Sequence, residues 1–172
     1  MTNKRKFSFV VVSLFAAFTS FSVFAESALS SVSANLVNAA GESVEAEAVE
    51  NAPIVLVYYS AHWCPPCRKF TPKLVDFYNK NGGGEAFEIV FASSDRSAED
   101  MFHYMEDAHM PWLAIDYDKI NETGIKSHGG PYIPSLVMFN EAGEVVAQSY
   151  DEANDDYKGP EYVLKKLKKE LE

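Results

Sequence analysis

The chain has 172 residues, 47% of them hydrophobic, with 15 basic against 25 acidic side chains for a net charge of −10. That length suits one domain with a short appendage, and so acidic a balance makes nucleic acid and anionic lipid poor partners; solubility is its plain account. Only two cysteines are present, too few for a disulfide framework or a four-thiolate zinc site.

Residues 1–25 read as a secretory signal. Lys4, Arg5 and Lys6 form a basic start, Phe7 to Phe18 an apolar run, and Val23-Phe24-Ala25 a cleavage site that would leave Glu26 as the first mature residue. The competing reading is an uncleaved anchor. Ser8, Ser13, Thr19, Ser20 and Ser22 interrupt the run, which is short for a membrane span. Cleavage would leave twelve basic residues against 25 acids, a net charge of −13. No cysteine follows the run to take a lipid. The expectation is an exported protein, periplasmic or secreted, with no stable membrane insertion after cleavage, in a compartment where disulfides persist.

Residues 26–172 are expected to form a single domain, with its core from about residue 36. Leu29, Val32 and Leu36-Val37 suit a short helix or an edge strand, and Ser43 to Ala48 alternates weakly, as an exposed strand would. Ile54 to Tyr59 is a continuous apolar, β-branched and aromatic run, the pattern of a strand covered on both faces. Arg68 to Asn79 has helical spacing of Phe70, Leu74, Phe77 and Tyr78, with Pro72 inside it to kink it. Phe87 to Ala92 is a second buried strand, and Ser97 opens a helix whose apolar face is Met101, Phe102, Met105 and Ala108. Met110 to Ile115 returns toward the sheet, and Asp118 to Lys126 suits a short helix. Ile133 to Phe139 is a third strand with Pro134 at its mouth, and Glu144 to Tyr150 pairs back on it after a turn at Asn140–Gly143. Residues 151–159 read as an acidic loop. The last helix opens at Gly159-Pro160-Glu161 and buries Val163, Leu164, Leu167 and Leu171.

Both cysteines fall between the first core strand and the helix that follows it, as Trp63-Cys64-Pro65-Pro66-Cys67. Thiol–disulfide exchange starts from a thiolate. With Cys64 at the helix N-cap, its sulfur faces unpaired backbone N–H groups and the positive end of the helix dipole. Such surroundings lower a thiol pKa from about 8.5 to roughly 3.5–7.5. Pro65 and Pro66 take first-turn positions, where a missing N–H costs little. Cys67, three residues on, lies on the same helix face within disulfide reach. Cys64 is therefore expected to be the exposed nucleophile and Cys67 the buried resolving thiol. Trp63 either covers the thiol and offers an apolar face to a partner or is a structural aromatic. His62 either stabilises the thiolate or is a solvated loop residue. A metal site at His62, Cys64 and Cys67 is conceivable, but a lone Cys-x-x-Cys leaves redox chemistry ahead. Arg68 and Lys69 add local positive charge or simply face solvent. Ile133-Pro134, after Gly129-Gly130-Pro131-Tyr132, fits a cis-proline loop lying against the dithiol, with the Ile133 backbone aimed at an incoming chain.

These residues resemble the thioredoxin superfamily, through Trp63-Cys64-Pro65-Pro66-Cys67, Pro72, and Ile133-Pro134 before a strand. The closer resemblance is to the nucleoredoxin and tryparedoxin branch, as a bacterial-type exported member. Tyr59 to Pro72 looks like that branch's active-site segment. Phe91 to Ser97 and Met110 to Ala114 look like its next two signatures. The resemblance covers about residues 36–150. It implies an α/β thioredoxin fold, a central mixed β-sheet flanked by helices with an N-terminal β extension. It also implies dithiol oxidoreductase activity, with Cys64 as nucleophile, Cys67 as resolver and Pro134 in cis. Thioredoxins carry a buried acid six residues before the first cysteine; here that position is Tyr58. Tyr58, His62 and Asp95 are the candidates for handling the buried proton. The expected function is reduction or isomerisation of protein disulfides through a Cys64 mixed disulfide resolved by Cys67. The expected cofactor set is empty apart from the Cys64–Cys67 pair, with no metal. The expected partners are protein thiols and disulfides and a redox partner, and the expected state is a monomer. Two other readings compete: a binding module with a static disulfide that docks through Trp63, Tyr132 and the Pro134 loop, and a peroxidase or redox sensor, for which no peroxide pocket is recognisable.

Overall fold

The computed structural model describes residues 28–45 and 47–172. The predicted signal and its cleavage site lie outside them. Strand β2, Ile54–Ser60, is the centre of a six-stranded sheet. It pairs parallel with β3, Glu88–Ser93, and antiparallel with β5, Ser135–Asn140, so that Tyr58 sits between Phe91 and Leu136. Both of its edges are hydrogen-bonded and both faces are covered, which accounts for the unbroken apolar run. Beyond β3 lie β4, Leu113–Ile115, in parallel, and β1, Leu36–Val37, antiparallel. Beyond β5 lies β6, Val145–Gln148, antiparallel, with a register irregularity at Met138/Phe139.

Two crossovers build the parallel part. Helix α3, Pro65–Lys80, joins β2 to β3, and α4, Ala98–Asp107, joins β3 to β4. Both move in the same direction across the sheet, so right-handed connections put both helices on one face. Strand alternation then sorts the core. Leu56, Tyr58, Ile89, Phe91, Leu136 and Met138 pack with Phe70 and Leu74 of α3, Met101 and Tyr104 of α4, and Val163 and Leu167 of α5, Pro160–Glu170. Val55, Val57, Tyr59, Val90, Val137 and Phe139 face the other way. They are covered by Val32 of α1, Ala28–Ser33, by Val49 of α2, Glu47–Glu50, and by Ile120 and Ile125. Each fully buried aliphatic side chain contributes about 1.5–3 kcal/mol of transfer free energy.

Several elements differ from the sequence reading. The weak strand over Ser43–Ala48 does not form: Ser43 makes a single bridge to Val37, and Glu47–Glu50 is helix. Val44 stays exposed, while the helical turn buries Val49 in the second core. Residues 118–123 of the expected helix are turns, and a 3₁₀ turn follows at Ile125–His128 after Gly124, whose φ of +71° closes off a helix. The third strand starts at Ser135, two residues later than its apolar run, since Pro134 has no N–H to give a ladder. The acidic loop contains a small hairpin of its own, β7, Tyr150–Asp151, paired with β8, Asp156–Tyr157. Helix α3 begins at Pro65 and runs through Pro72, whose missing N–H leaves the Arg68 carbonyl without its usual partner. No helix among the described residues is long and apolar enough to cross a membrane.

Candidate active site

The C-terminal end of β2 and the N-terminus of α3 place the Cys-x-x-Cys segment at the end of the sheet's central strand. Cys64 is the N-cap of α3, with extended backbone, and Pro65 and Pro66 fill the first turn. The Cys67 N–H donates to Cys64 Sγ at 3.3 Å. The two cysteines are joined as a disulfide with Cα atoms 5.2 Å apart. Ala61 and the half-buried Ile133 pack against the bridged pair. Cys64 retains only 4% exposure and Cys67 none. In the bridged form Cys64 is thus far less open than the sequence reading expected, because the sulfur turns inward to its partner. Pro65 and Pro66 are exposed at the mouth.

Trp63 stands beside the disulfide, half exposed at 51%, and its indole N–H donates to the Ser94 carbonyl at 3.0 Å. That bond fixes the ring edge and leaves a face in solvent. The other wall is the segment before β5. The Ile133–Pro134 peptide bond is cis, and the Ile133 carbonyl oxygen lies 3.9 Å from Cys64 Sγ. Tyr132, also 51% exposed, continues that wall.

Asp95 holds the approach to the motif. One carboxylate oxygen accepts the His62 N–H at 2.7 Å and the other the Ser93 hydroxyl at 2.8 Å. Burial lifts the Asp95 carboxyl above its usual range, and these two donors oppose that rise. Both oxygens are committed to the loop, and neither bonds to Cys67. The His62 ring stacks on Tyr104 at 5.5 Å, with its Nε2 3.5 Å from Asp107. Its side chain points to α4.

Behind Cys67 lies a cluster of hydroxyls. The Thr71 hydroxyl, one turn on, donates to the Cys67 carbonyl at 2.9 Å. It also meets the Tyr58 hydroxyl at 2.8 Å and the Tyr104 hydroxyl, which in turn meets Ser60 Oγ at 3.1 Å. Burial, above all, pushes the Tyr58 phenol far up, so it stays protonated. Of this cluster the sequence reading singled out only Tyr58. Thr71 carried one signal, its position four residues after Cys67 and thus under it on the helix. Tyr104 and Ser60 carried none. Among the described residues no group of three or more His, Cys, Asp or Glu side chains gathers as metal ligands would.

A strand-to-helix dithiol capped by its own helix, faced by an X-Pro loop and set on this mixed sheet, agrees with the comparison to known proteins. The family described as thioredoxin-like matches residues 51–145, more than half of the chain. The chain belongs to the thioredoxin-like family. Human nucleoredoxin is 41% identical over 111 residues, 63% of this chain and 25% of that protein. Tryparedoxin of Trypanosoma brucei brucei is 43% identical over 89 residues, 50% of this chain and 60% of that protein. The chain thus matches about a quarter of the length of nucleoredoxin. Among solved structures, a thioredoxin from Wuchereria bancrofti superposes with a TM-score of 0.61 at 33% identity, covering 77% of this chain and 92% of that one. The thioredoxin-like match takes in β2 through the start of β6, and so includes both walls of the site, while α1, β1 and the β7–β8 hairpin lie outside it.

Proposed function

We propose that this protein is an exported thiol–disulfide oxidoreductase that reduces or isomerises disulfides in other proteins. The observation that carries the reading is the Cys64–Cys67 disulfide at the N-terminus of α3, with the Cys67 N–H on Cys64 Sγ. In the reduced protein the same N–H and the helix dipole favour a Cys64 thiolate. That thiolate attacks one sulfur of a substrate disulfide. A Cys64 mixed disulfide forms, and the other substrate sulfur leaves as a thiolate that takes a proton from solvent. Cys67 then gives up its proton and attacks Cys64 Sγ. The Cys64–substrate bond breaks, and the second substrate thiolate departs with that proton. Two electrons have passed to the substrate, and a dithiol reductant must restore the pair. For an isomerase, the substrate's own thiol performs the second attack instead.

Trp63, Tyr132 and Ile133 form the surface that a polypeptide meets, and the Ile133 backbone offers a place for an extended segment to add. The relatives named nucleoredoxin and tryparedoxin support the dithiol reading. Export rests on the basic start, apolar run and Val23-Phe24-Ala25 of residues 1–25. A monomer, with no cofactor beyond the cysteine pair, suffices for this chemistry.

Turbidimetric reduction of insulin by the protein with dithiothreitol, compared with Cys64→Ser, tests the reading. The wild type is expected to accelerate precipitation and Cys64→Ser to match the uncatalysed rate. Equal rates for the two proteins would favour a binding module with a static disulfide.

A further inference from the structure

Two successive carbonyls ahead of β5 serve different partners. That of Ile133 borders Cys64 Sγ at 3.9 Å, and that of Pro134 accepts the Tyr157 hydroxyl. Tyr157 belongs to β8, 23 residues further along the chain. Its ring packs on Tyr132 at 5.4 Å, and Tyr132 meets Tyr150 of β7 edge-on at 5.9 Å. The loop is pressed close to this hairpin: a Cβ on Gly130 would come 2.7 Å from Tyr150. Ser149 ties the hairpin's base to the sheet. Its hydroxyl accepts the Leu136 N–H at 2.8 Å, and its carbonyl accepts the Lys158 N–H at 2.8 Å. Burial, with the Glu161 carboxylate adding to it, holds the Tyr157 phenol above its ordinary range, so it remains a donor at neutral pH. The hairpin is a separate two-stranded sheet and contributes no strand to the main one. Its firm attachment to the Pro134 carbonyl is therefore not a requirement of the central sheet.

We propose that Tyr157 is a positioning residue for disulfide exchange: its hydroxyl fixes the Pro134 carbonyl, and with it the Ile133 backbone edge on which a polypeptide substrate lies across Cys64. This rests on the oxidoreductase reading. A polypeptide disulfide uses that edge, whereas bis(2-hydroxyethyl) disulfide has no peptide backbone to lay on it.

The experiment compares full-chain wild type with Tyr157→Phe, which keeps the ring and removes only the hydroxyl. It measures insulin reduction at steady state, single-turnover oxidation of the reduced protein by bis(2-hydroxyethyl) disulfide, the redox midpoint of the cysteine pair, and Tm. KM for insulin is expected to rise roughly three- to tenfold, the span one hydrogen bond covers, with kcat kept. The small-disulfide rate and the midpoint are expected to stay within about twofold, inside the effect of one weak hydrogen bond. Unchanged insulin kinetics, or an equal loss on both substrates of the kind general loosening gives, would overturn the inference. A wild type inactive on insulin would remove the oxidoreductase reading itself. An active wild type with an indifferent Tyr157→Phe would remove only the role of Tyr157.

Discussion

Thr71 has a single hydroxyl proton, and that proton goes to the Cys67 carbonyl. Both phenols that reach Thr71 must therefore donate to it, and Ser60 must donate to Tyr104. The four hydroxyls thus form a directed, neutral and satisfied set beneath Cys67. Thr71→Val removes the acceptor; Tyr104 can turn its proton to Ser60, but the buried Tyr58 proton loses its partner, which should cost about 1–3 kcal/mol in urea unfolding. Thr71→Ser keeps the hydroxyl and should recover most of that. A second buried group sits far from the motif at the start of β3. Glu88 accepts the Tyr78 hydroxyl at 2.9 Å and its neighbour's Ile89 N–H at 2.7 Å, and burial raises its carboxyl above the ordinary 4.5. The native state therefore binds this proton more tightly than the unfolded chain does. Its contribution is fully present below the unfolded pKa and is lost as pH rises through the raised native value. Calorimetry should show wild type gaining Tm relative to Glu88→Gln as pH falls from about 7 to about 4. A constant difference across that range would remove Glu88 as the cause.

Helix α3 presents Cys64 and Cys67 at one end and carries Phe70, Leu74 and Tyr78 into the core along its length. Leu74 is fully buried, and Leu74→Ala should cost about 2–5 kcal/mol. Denaturant midpoints check this. If the first turn is held by its own cap and by Thr71, the redox midpoint should move little. The elements that could be read from sequence were those whose pattern is set locally and repeated: the apolar runs of β2, β3 and β5, and the helical spacing of α3, α4 and α5. The elements that could not depend on contacts between residues far apart in the chain. Val49 turns residues 47–50 into a helix by entering the second core, against a weak strand pattern. The acidic loop pairs as a hairpin whose base Ser149 holds and whose Tyr157 reaches the Pro134 carbonyl. At the site the same division holds. Cys64, Cys67, Trp63 and Pro134 were legible because the motif and the X-Pro step are local signals. Tyr104 reaches Thr71 across 33 residues and Tyr157 reaches Pro134 across 23, separations that carry no periodicity. Asp95 was legible as a candidate, but its position as the acceptor for His62 and Ser93 required the loop geometry.

Across the whole molecule, the sheet divides the labour. One face carries α3, α4 and α5, and the site opens where β2 ends and α3 begins. The opposite face is closed by short elements around Val32, Val49, Ile120 and Ile125. The Cys64–Cys67 pair is almost wholly buried, with exposed Trp63 beside it and exposed Tyr132 next to Ile133, so a partner meets aromatic surface before Cys64. On the proposed reading, a disulfide is brought on a polypeptide, Cys64 forms the intermolecular bond and Cys67 breaks it. Incubating reduced Cys67→Ser with a disulfide-bonded protein such as insulin, followed by non-reducing mass spectrometry, tests that order of events. An adduct should accumulate on Cys64, disappear with dithiothreitol, and be absent from both wild type and Cys64→Ser. Failure of Cys67→Ser to form any adduct, or adducts borne on Cys67 when Cys64 is replaced, would contradict it.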